Sequence, residues 1–116
     1  MKFNNDRAFD IMASHLKALA DPLRLRILYE IREEPKYVKD IVAALDTSQP
    51  TISKHLGILR RAGIVDTERL GTLVRYAIRD ERLCDLCDLL HETVLNRIMH
   101  ENEMMNPESF DKGAGV

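Results

Sequence analysis

The chain has 116 residues, of which 45% are hydrophobic and 31% are charged, and it contains no tryptophan. This length and composition predict one globular domain with an aliphatic core. No stretch approaches the roughly 20 apolar residues of a membrane-spanning helix, and the polar opening MKFNNDRAFD lacks a signal peptide's apolar segment, so we expect a cytoplasmic protein without membrane contact. Two cysteines are too few for the disulfide framework of a small secreted protein.

The net charge of −2 is unevenly distributed along the chain. Residues 47–79 carry six basic and two acidic side chains, a local charge of +4, whereas residues 80–116 carry three basic and nine acidic ones, a local charge of −6. A basic segment of this kind is typical of a surface that faces a polyanion such as nucleic acid. The charge fits a merely solvated face equally well, so it does not decide the question alone.

Helices dominate the first half of the chain. Apolar spacing predicts helices over residues 6–19, after Asp21, and over residues 37–45 and 48–62. Asp21 followed by Pro22 is a typical helix start, since Asp caps the backbone and Pro is tolerated in the first turn. Gly63 is the expected end of the fourth helix.

The hydrophobic period changes after Gly63. Residues 64–69 and 73–78 are short, β-branched runs joined by Leu-Gly-Thr, a pattern that predicts a hairpin. A last helix is expected from Asp80 to about Glu103. We therefore divide the chain into a domain, residues 1–103, and a flexible tail, residues 104–116.

The order helix, short turn, helix and hairpin is that of a winged helix-turn-helix, so we expect a mainly α fold with a small β-hairpin. In this fold the fourth helix lies in the DNA major groove, and its inner face must be apolar. Ile52, Leu56 and Leu59 supply that face, and the opening SQPTISKH offers hydrogen-bonding groups for bases and phosphates. Basic residues near the hairpin tip suit a wing that touches phosphates. The predicted DNA-contacting residues are Ser48, Gln49, Thr51, Ser53, Lys54, His55, Arg69 and Arg75.

Three segments of this chain resemble the ArsR/SmtB family of metal- and redox-responsive repressors. They are LDTSQPTISKHLGILRRAGIV, the upstream ALADPLRLRIL and the wing ERLGTLVRYAI, within a similarity that covers roughly residues 8–100. The resemblance implies a homodimer, joined through its first and last helices, that occupies a double-stranded DNA operator and blocks transcription. It also implies that an effector lowers the affinity for DNA.

The effector motifs of this family are only partly present here. Where arsenic-sensing relatives often carry a Cys-Val-Cys motif, this chain has YVKDIV. Zinc- and cobalt-sensing relatives use Asp and His near the start of the last helix, and His with His or Glu near its end. This chain has only Asp80 at the start and His100 with Glu103 near the end. The last helix instead contains CDLCDLLH, whose Cys84, Cys87 and His91 lie on one helix face. Two thiolates and an imidazole suit a thiophilic ion, namely arsenic(III), antimony(III), Cd(II) or Zn(II).

Other interpretations of the cysteines and of the chain stay open. Cys84 and Cys87 also fit plain packing in a dimer core without any ligand, or a redox or reactive-sulfur switch. A winged-helix dimer could alternatively bind only protein. Enzyme activity is not expected, since no Ser-His-Asp set, Gly-rich phosphate loop or paired carboxylates are evident.

Overall fold

The computed structural model describes residues 5–105, which fall into two units, residues 5–81 and residues 82–105. The described part of the first unit comprises α1 (Asp6–Leu19), α2 (Pro22–Ile31), β1 (Lys36–Tyr37), α3 (Val38–Leu45), α4 (Gln49–Arg61), β2 (Val65–Leu70) and β3 (Leu73–Ile78). The second unit is one helix, α5 (Arg82–Met105). The predicted tail lies outside the described residues except for residues 104 and 105, which belong to α5.

Local capping interactions set the helix boundaries close to where the sequence predicts them. Asp21 Oδ2 accepts hydrogen bonds from the backbone N–H groups of Leu23 and Arg24, at 3.0 and 3.1 Å, and so starts α2. After α4, Gly63 adopts a φ of +81°, which an L side chain rarely does, and the chain turns away from the helix.

The core of the first unit is aliphatic and is built where α2, α3 and α4 meet the sheet. Its largest fully buried side chains are Ile27, Ile31, Ile41, Ile52, Leu56, Leu59, Ile64 and Val65. Among the described residues, no polar or charged residue belongs to the buried class. Close packing of branched side chains fixes α4 against the other helices through its inner face, as predicted.

The sheet has three antiparallel strands in the order β1-β3-β2. The predicted hairpin is confirmed: β2 and β3 pair from Val65 opposite Ile78 to Leu70 opposite Leu73, and Gly71 turns at a φ of +64°. Strand β1 was not predicted, because two residues after Pro35 are too short to show a period. With α3, α4 and the wing in this order, the structure confirms the winged helix-turn-helix.

Candidate nucleic-acid interface

The first turn of α4 is held by side chains of its own segment. Ser48, the N-cap, accepts a hydrogen bond at Oγ from the Thr51 backbone N–H at 3.3 Å, and the two hydroxyl oxygens are 2.7 Å apart. The cap satisfies one of the backbone donors that a helix start leaves open. Pro50 lies in the first turn, where its missing N–H costs no helical hydrogen bond. The predicted DNA-contacting turn is thus helical in the free chain.

The outer surface of this turn is polar. Ser48, Gln49 and Lys54 are exposed, and Thr51 and Ser53 are half-buried. Gln49 Nε2 donates a hydrogen bond of 2.9 Å to Ser53 Oγ one turn later. The five residues therefore share the exposed start of a helix whose opposite side is fully buried, an arrangement that can present hydrogen-bonding groups to base edges.

His55 has a different environment from the other predicted contact residues. Only 15% of its side chain is exposed, and its Nδ1 lies 3.1 Å from Arg24 Nη1 and 3.8 Å from Asp21 Oδ2. Both neighbours belong to the start of α2 rather than to α4. The structure thus directs His55 Nδ1 toward the body of the domain.

The two predicted wing arginines lie on opposite faces of the hairpin. Arg69 is exposed and pairs in register with Val74, whereas Arg75 pairs with Glu68. Side chains alternate between faces along a strand, which separates the two arginines. Arg75 Nη2 donates to Glu68 Oε2 at 2.8 Å, and Arg75 Nε is buried without a hydrogen-bond partner. The structure therefore makes Arg69 the more accessible of the two cations.

Two carboxyl groups beside this surface, those of Asp21 and Asp66, have pKa values below their ordinary value. Backbone hydrogen bonding from Arg24 is the main cause that holds the pKa of Asp21 below its ordinary value, and the charge of Arg24 adds to it. A side-chain hydrogen bond from Arg79 lowers the pKa of Asp66, and the same bond raises the pKa of Arg79. Each pair is most stable with the carboxylate ionised.

Ion pairing concentrates the positive charge of residues 47–79. The two acidic groups of that segment, Asp66 and Glu68, are bonded to Arg79 and Arg75. The local charge of +4 then corresponds to the remaining cations of the segment, which are Lys54, Arg60, Arg61 and Arg69. Two of these, Lys54 and Arg69, belong to the predicted contact residues, so the charge supports a polyanion-facing surface.

The predicted metal ligands all lie on α5. Cys84 and Cys87 form no disulfide and are half-buried, and His91 is exposed. Within residues 5–105 of a single chain, no group of three or more His, Cys, Asp or Glu side chains is placed to hold a metal ion. The two thiols can supply soft ligands one turn apart, and any ion bound there would need further ligands from elsewhere.

Arg24 is the residue of this region that the sequence did not single out. Its guanidinium reaches His55 of α4, which lies 31 positions later, and the end of α1. The segment ALADPLRLRIL contains it, but only as an unremarkable arginine in the second helix.

No described helix combines the length and apolarity needed to cross a membrane.

Comparison with known proteins agrees with this architecture. Residues 21–67 match the family described as bacterial regulatory protein, arsR family. The repressor SmtB of Mycobacterium tuberculosis is 37% identical over 94 residues, which are 81% of this chain and 64% of the repressor. The chain thus spans just under two thirds of that relative's length. An HTH-type transcriptional regulator of Methanocaldococcus jannaschii is 40% identical over 85 residues, 72% of this chain and 96% of the relative.

A third relative carries a metal in its name: the cadmium resistance transcriptional regulatory protein CadC of Listeria innocua, 34% identical over 79 residues, 67% of this chain and 66% of the relative. Among solved structures, a homodimeric winged helix-turn-helix DNA-binding domain from Mycobacterium bovis superposes with a TM-score of 0.73 at 30% identity, covering 86% of this chain and 95% of that one. These matches confirm the resemblance inferred from the sequence. They also confirm that the family is one of transcriptional regulators and not of enzymes. The chain belongs to the arsR family of bacterial regulatory proteins.

Proposed function

We propose that this chain is a DNA-binding transcriptional repressor that works as a cytoplasmic homodimer and leaves its operator when an effector binds. The observation that carries the proposal is the exposed polar start of α4 on a helix with a buried inner face. Gln49 and Lys54 are exposed there, while Ile52 and Leu56 are 0% exposed. A helix supported in this way can enter the major groove and keep its contact residues in position.

Exposed apolar surface supports the homodimer. On α1, four large apolar side chains are 46% to 57% exposed: Phe9, Ile11, Met12 and Leu16. On α5, the exposed apolar side chains are Leu86, Leu89, Leu90, Val94, Leu95, Ile98, Met99 and Met104. On each helix, so many exposed large apolar side chains are typical of an interaction surface. The Mycobacterium bovis domain is homodimeric, and we propose that a second copy of this chain covers both helices.

Dimerisation would also set the DNA-binding geometry. Two recognition helices contact two half-sites about one helical turn of DNA apart, so the dimer helices fix which operator spacing fits. A ligand that changes the dimer geometry therefore weakens operator binding without touching a base-contacting residue. A coupling free energy of about 2–3 kcal/mol would suffice for release.

We propose that the effector is a thiophilic ion bound through Cys84 and Cys87, with His91 as a further ligand. The two thiols lie one helical turn apart, and CadC, named for cadmium resistance, is a relative. The residues of a single chain fit such an ion only in part, because they provide no complete ligand set within the described range. The proposal therefore needs ligands from both α5 helices of the dimer. When bound, the ion would supply a cross-link between the two helices.

The same cysteine pair supports a second candidate, a repressor that responds to oxidants or reactive sulfur. Cys84 and Cys87 form no disulfide and are half-buried, so they keep some access to small reagents. A disulfide or persulfide on α5 would alter the same helix as a bound ion. A repressor with both cysteines simply packed, and no ligand there, is the third outcome that experiments must separate.

Fluorescence anisotropy of the reduced protein on labelled DNA tests repression at its first step. The probe is a duplex that the protein selects from a randomised pool, compared with an unrelated duplex of equal length. We expect tighter binding to the selected duplex, and palindromic symmetry in its sequence. Selection of no preferred sequence would contradict the proposed function.

The effector is tested by adding arsenite, antimonite, Cd(II) and Zn(II) to the complex in turn. Release at a near-stoichiometric ion concentration, retained by His100→Ala but lost in Cys84→Ser with Cys87→Ser, is expected for the thiol site. His100 is a matched control because it is another possible ligand on α5. If the double serine variant still responds, the ion binds elsewhere. If no ion releases DNA but an oxidant or polysulfide does, the second candidate is correct.

A further inference from the structure

One guanidinium connects three helices of the first unit. Arg24 belongs to α2, donates from Nε to the Ala18 carbonyl of α1 at 2.6 Å, and places Nη1 3.1 Å from Nδ1 of His55 on α4. Its Nη2 lies 3.5 Å from the Lys17 carbonyl of α1. We call this set of contacts the Arg24 bridge.

The bridge uses a backbone carbonyl at the end of α1, that of Ala18, as an acceptor. The last carbonyl groups of a helix have no acceptor role within that helix, so the end of α1 offers oxygens to a cation. Arg24 satisfies that need at Ala18, which is itself only 4% exposed. A hydrogen bond to a charged donor is stronger than one between neutral groups. The end of α1 is thus firmly bonded to Arg24.

At the other end of the bridge, the contact with Arg24 assigns the hydrogen-bonding role of Nδ1 in His55. A guanidinium can only donate, so Nδ1 of His55 must accept, and the ring proton then lies on Nε2. Asp21 Oδ2, 3.8 Å from the same nitrogen, caps α2 and also faces Arg24. His55 is therefore bonded through Nδ1 to α2, and through Arg24 to α1.

The packing between α1 and α4 is incomplete beside the Arg24 bridge. An open cavity of about 400 Å³ lies between them, lined by side chains of α1, by Arg24 of α2, by Ile58 and Arg61 of α4, and by Ala62 directly after α4. Where side chains leave such a space, a polar connection contributes more to the relative position of two helices than it does where they pack closely. The Arg24 bridge provides that connection beside the cavity.

We propose that Arg24 and His55 are positioning residues that hold the recognition helix α4 at a defined angle to α1. The inference rests on the proposed function, because it assigns to the bridge the transmission of dimer geometry to the DNA-contacting turn. A 13-residue helix is about 20 Å long, so a pivot of a few degrees moves Gln49 by about 1 Å. Base-edge hydrogen bonds do not tolerate such a shift. His55 thus acts on DNA through orientation and not through its own contact.

Two leucine variants and one control variant test the proposal. Arg24→Leu and His55→Leu are expected to weaken binding to the selected duplex about tenfold, and to leave binding to an unrelated duplex within about twofold. Arg26→Leu is the control for the lost charge, because Arg26 is exposed on the same helix. All variants are measured below their melting temperatures, so that the comparison is between folded proteins.

Two amide variants distinguish positioning from direct DNA contact at residue 55. Asn places an oxygen where Nδ1 lies and can accept from Arg24, whereas Gln places its amide nearer the position of Nε2. We expect His55→Asn to recover most of the affinity that His55→Leu loses, and His55→Gln to resemble His55→Leu. The opposite result, recovery by Gln alone, would show that His55 contacts DNA and would overturn the proposal.

Four further results would overturn the proposal. One is equal loss in Arg24→Leu and Arg26→Leu, which would indicate charge alone. Another is that both leucine variants bind the selected duplex as tightly as the wild type does. That result would leave the proposed function intact. A wild type that selects no duplex contradicts the proposed function itself, and the positioning role with it. Independently of DNA, ¹⁵N shifts of the His55 ring should show the proton on Nε2, and a proton on Nδ1 would contradict the bridge.

Discussion

Arg75 and Glu68 form an ion pair across the wing, with Arg75 Nη2 2.8 Å from Glu68 Oε2, whereas Arg69 lies on the opposite face of the hairpin. The wing thus has one internally paired and one exposed arginine near its tip. A phosphate competes with Glu68 for Arg75, but Glu68 makes no such bond to Arg69. The two cations should therefore differ in what they contribute to DNA binding.

We expect Arg69→Ala to weaken binding to every duplex and to reduce the slope of log affinity against log salt concentration by about 1. Arg75→Ala should change the slope by less, since Glu68 already neutralises its charge. Anisotropy titrations over a series of salt concentrations measure both slopes. A larger change for Arg75→Ala would mean that the wing approaches DNA with the face that carries Glu68.

Gln49→Ala should remove base discrimination rather than general affinity. A well-placed amide contact to a base edge contributes about 1–3 kcal/mol of discrimination, so the selected duplex loses that preference while the unrelated duplex is unaffected. Lys54→Ala is the matched comparison on the same turn, and it should weaken binding to both duplexes alike. Competition titrations with both duplexes distinguish the two outcomes. Uniform weakening by Gln49→Ala would exclude a base contact.

The stability of the first unit should fall at acid pH through Asp21. Its pKa is lower in the folded chain than in the unfolded one, mainly because the Arg24 backbone N–H donates to its carboxylate. The unfolded chain therefore binds more protons, and the stabilisation is present above the ordinary value of 3.8 and is lost as the pH falls through the folded value.

Asp21→Asn removes this titration but keeps a good N-cap residue. Urea unfolding at fixed protein concentration should show a smaller difference between pH 6 and pH 3 for the variant than for the wild type. Asp66→Asn is the comparison variant at another carboxylate, since the pKa of Asp66 is lowered by Arg79 and not by Arg24. An unchanged pH dependence in Asp21→Asn would show that the Asp21 cap does not stabilise the fold in this way.

A charge within the exposed apolar surface of α5 should abolish dimerisation. Leu90 is 62% exposed in a single chain, and Leu90→Lys would bury an unpaired ammonium group in the proposed interface. Sedimentation velocity at micromolar concentration should then show a monomer. Ala43→Lys adds the same charge at an exposed position of α3 and should remain dimeric. A dimeric Leu90→Lys protein would place the interface elsewhere.

Helix boundaries could be predicted from the sequence because the interactions that set them are local. Asp21 caps α2 by accepting hydrogen bonds from backbone groups at most three positions later in the chain. Gly63 ends α4 through its own φ. The apolar period also identified Ile52, Leu56 and Leu59 as buried. The DNA-contacting and metal-ligating residues stay predictions.

The sequence by itself determined the family, the winged helix-turn-helix and the polar start of α4, because these depend on short-range pattern and composition. Only the tertiary structure decided that His55 faces Arg24 across 31 positions, that Arg75 is paired with Glu68, and that Lys36 and Tyr37 form a third strand. Such contacts depend on how distant segments meet. The same SQPTISKH segment therefore contains surface residues such as Gln49 and Lys54 and, directly after them, a histidine turned into the domain.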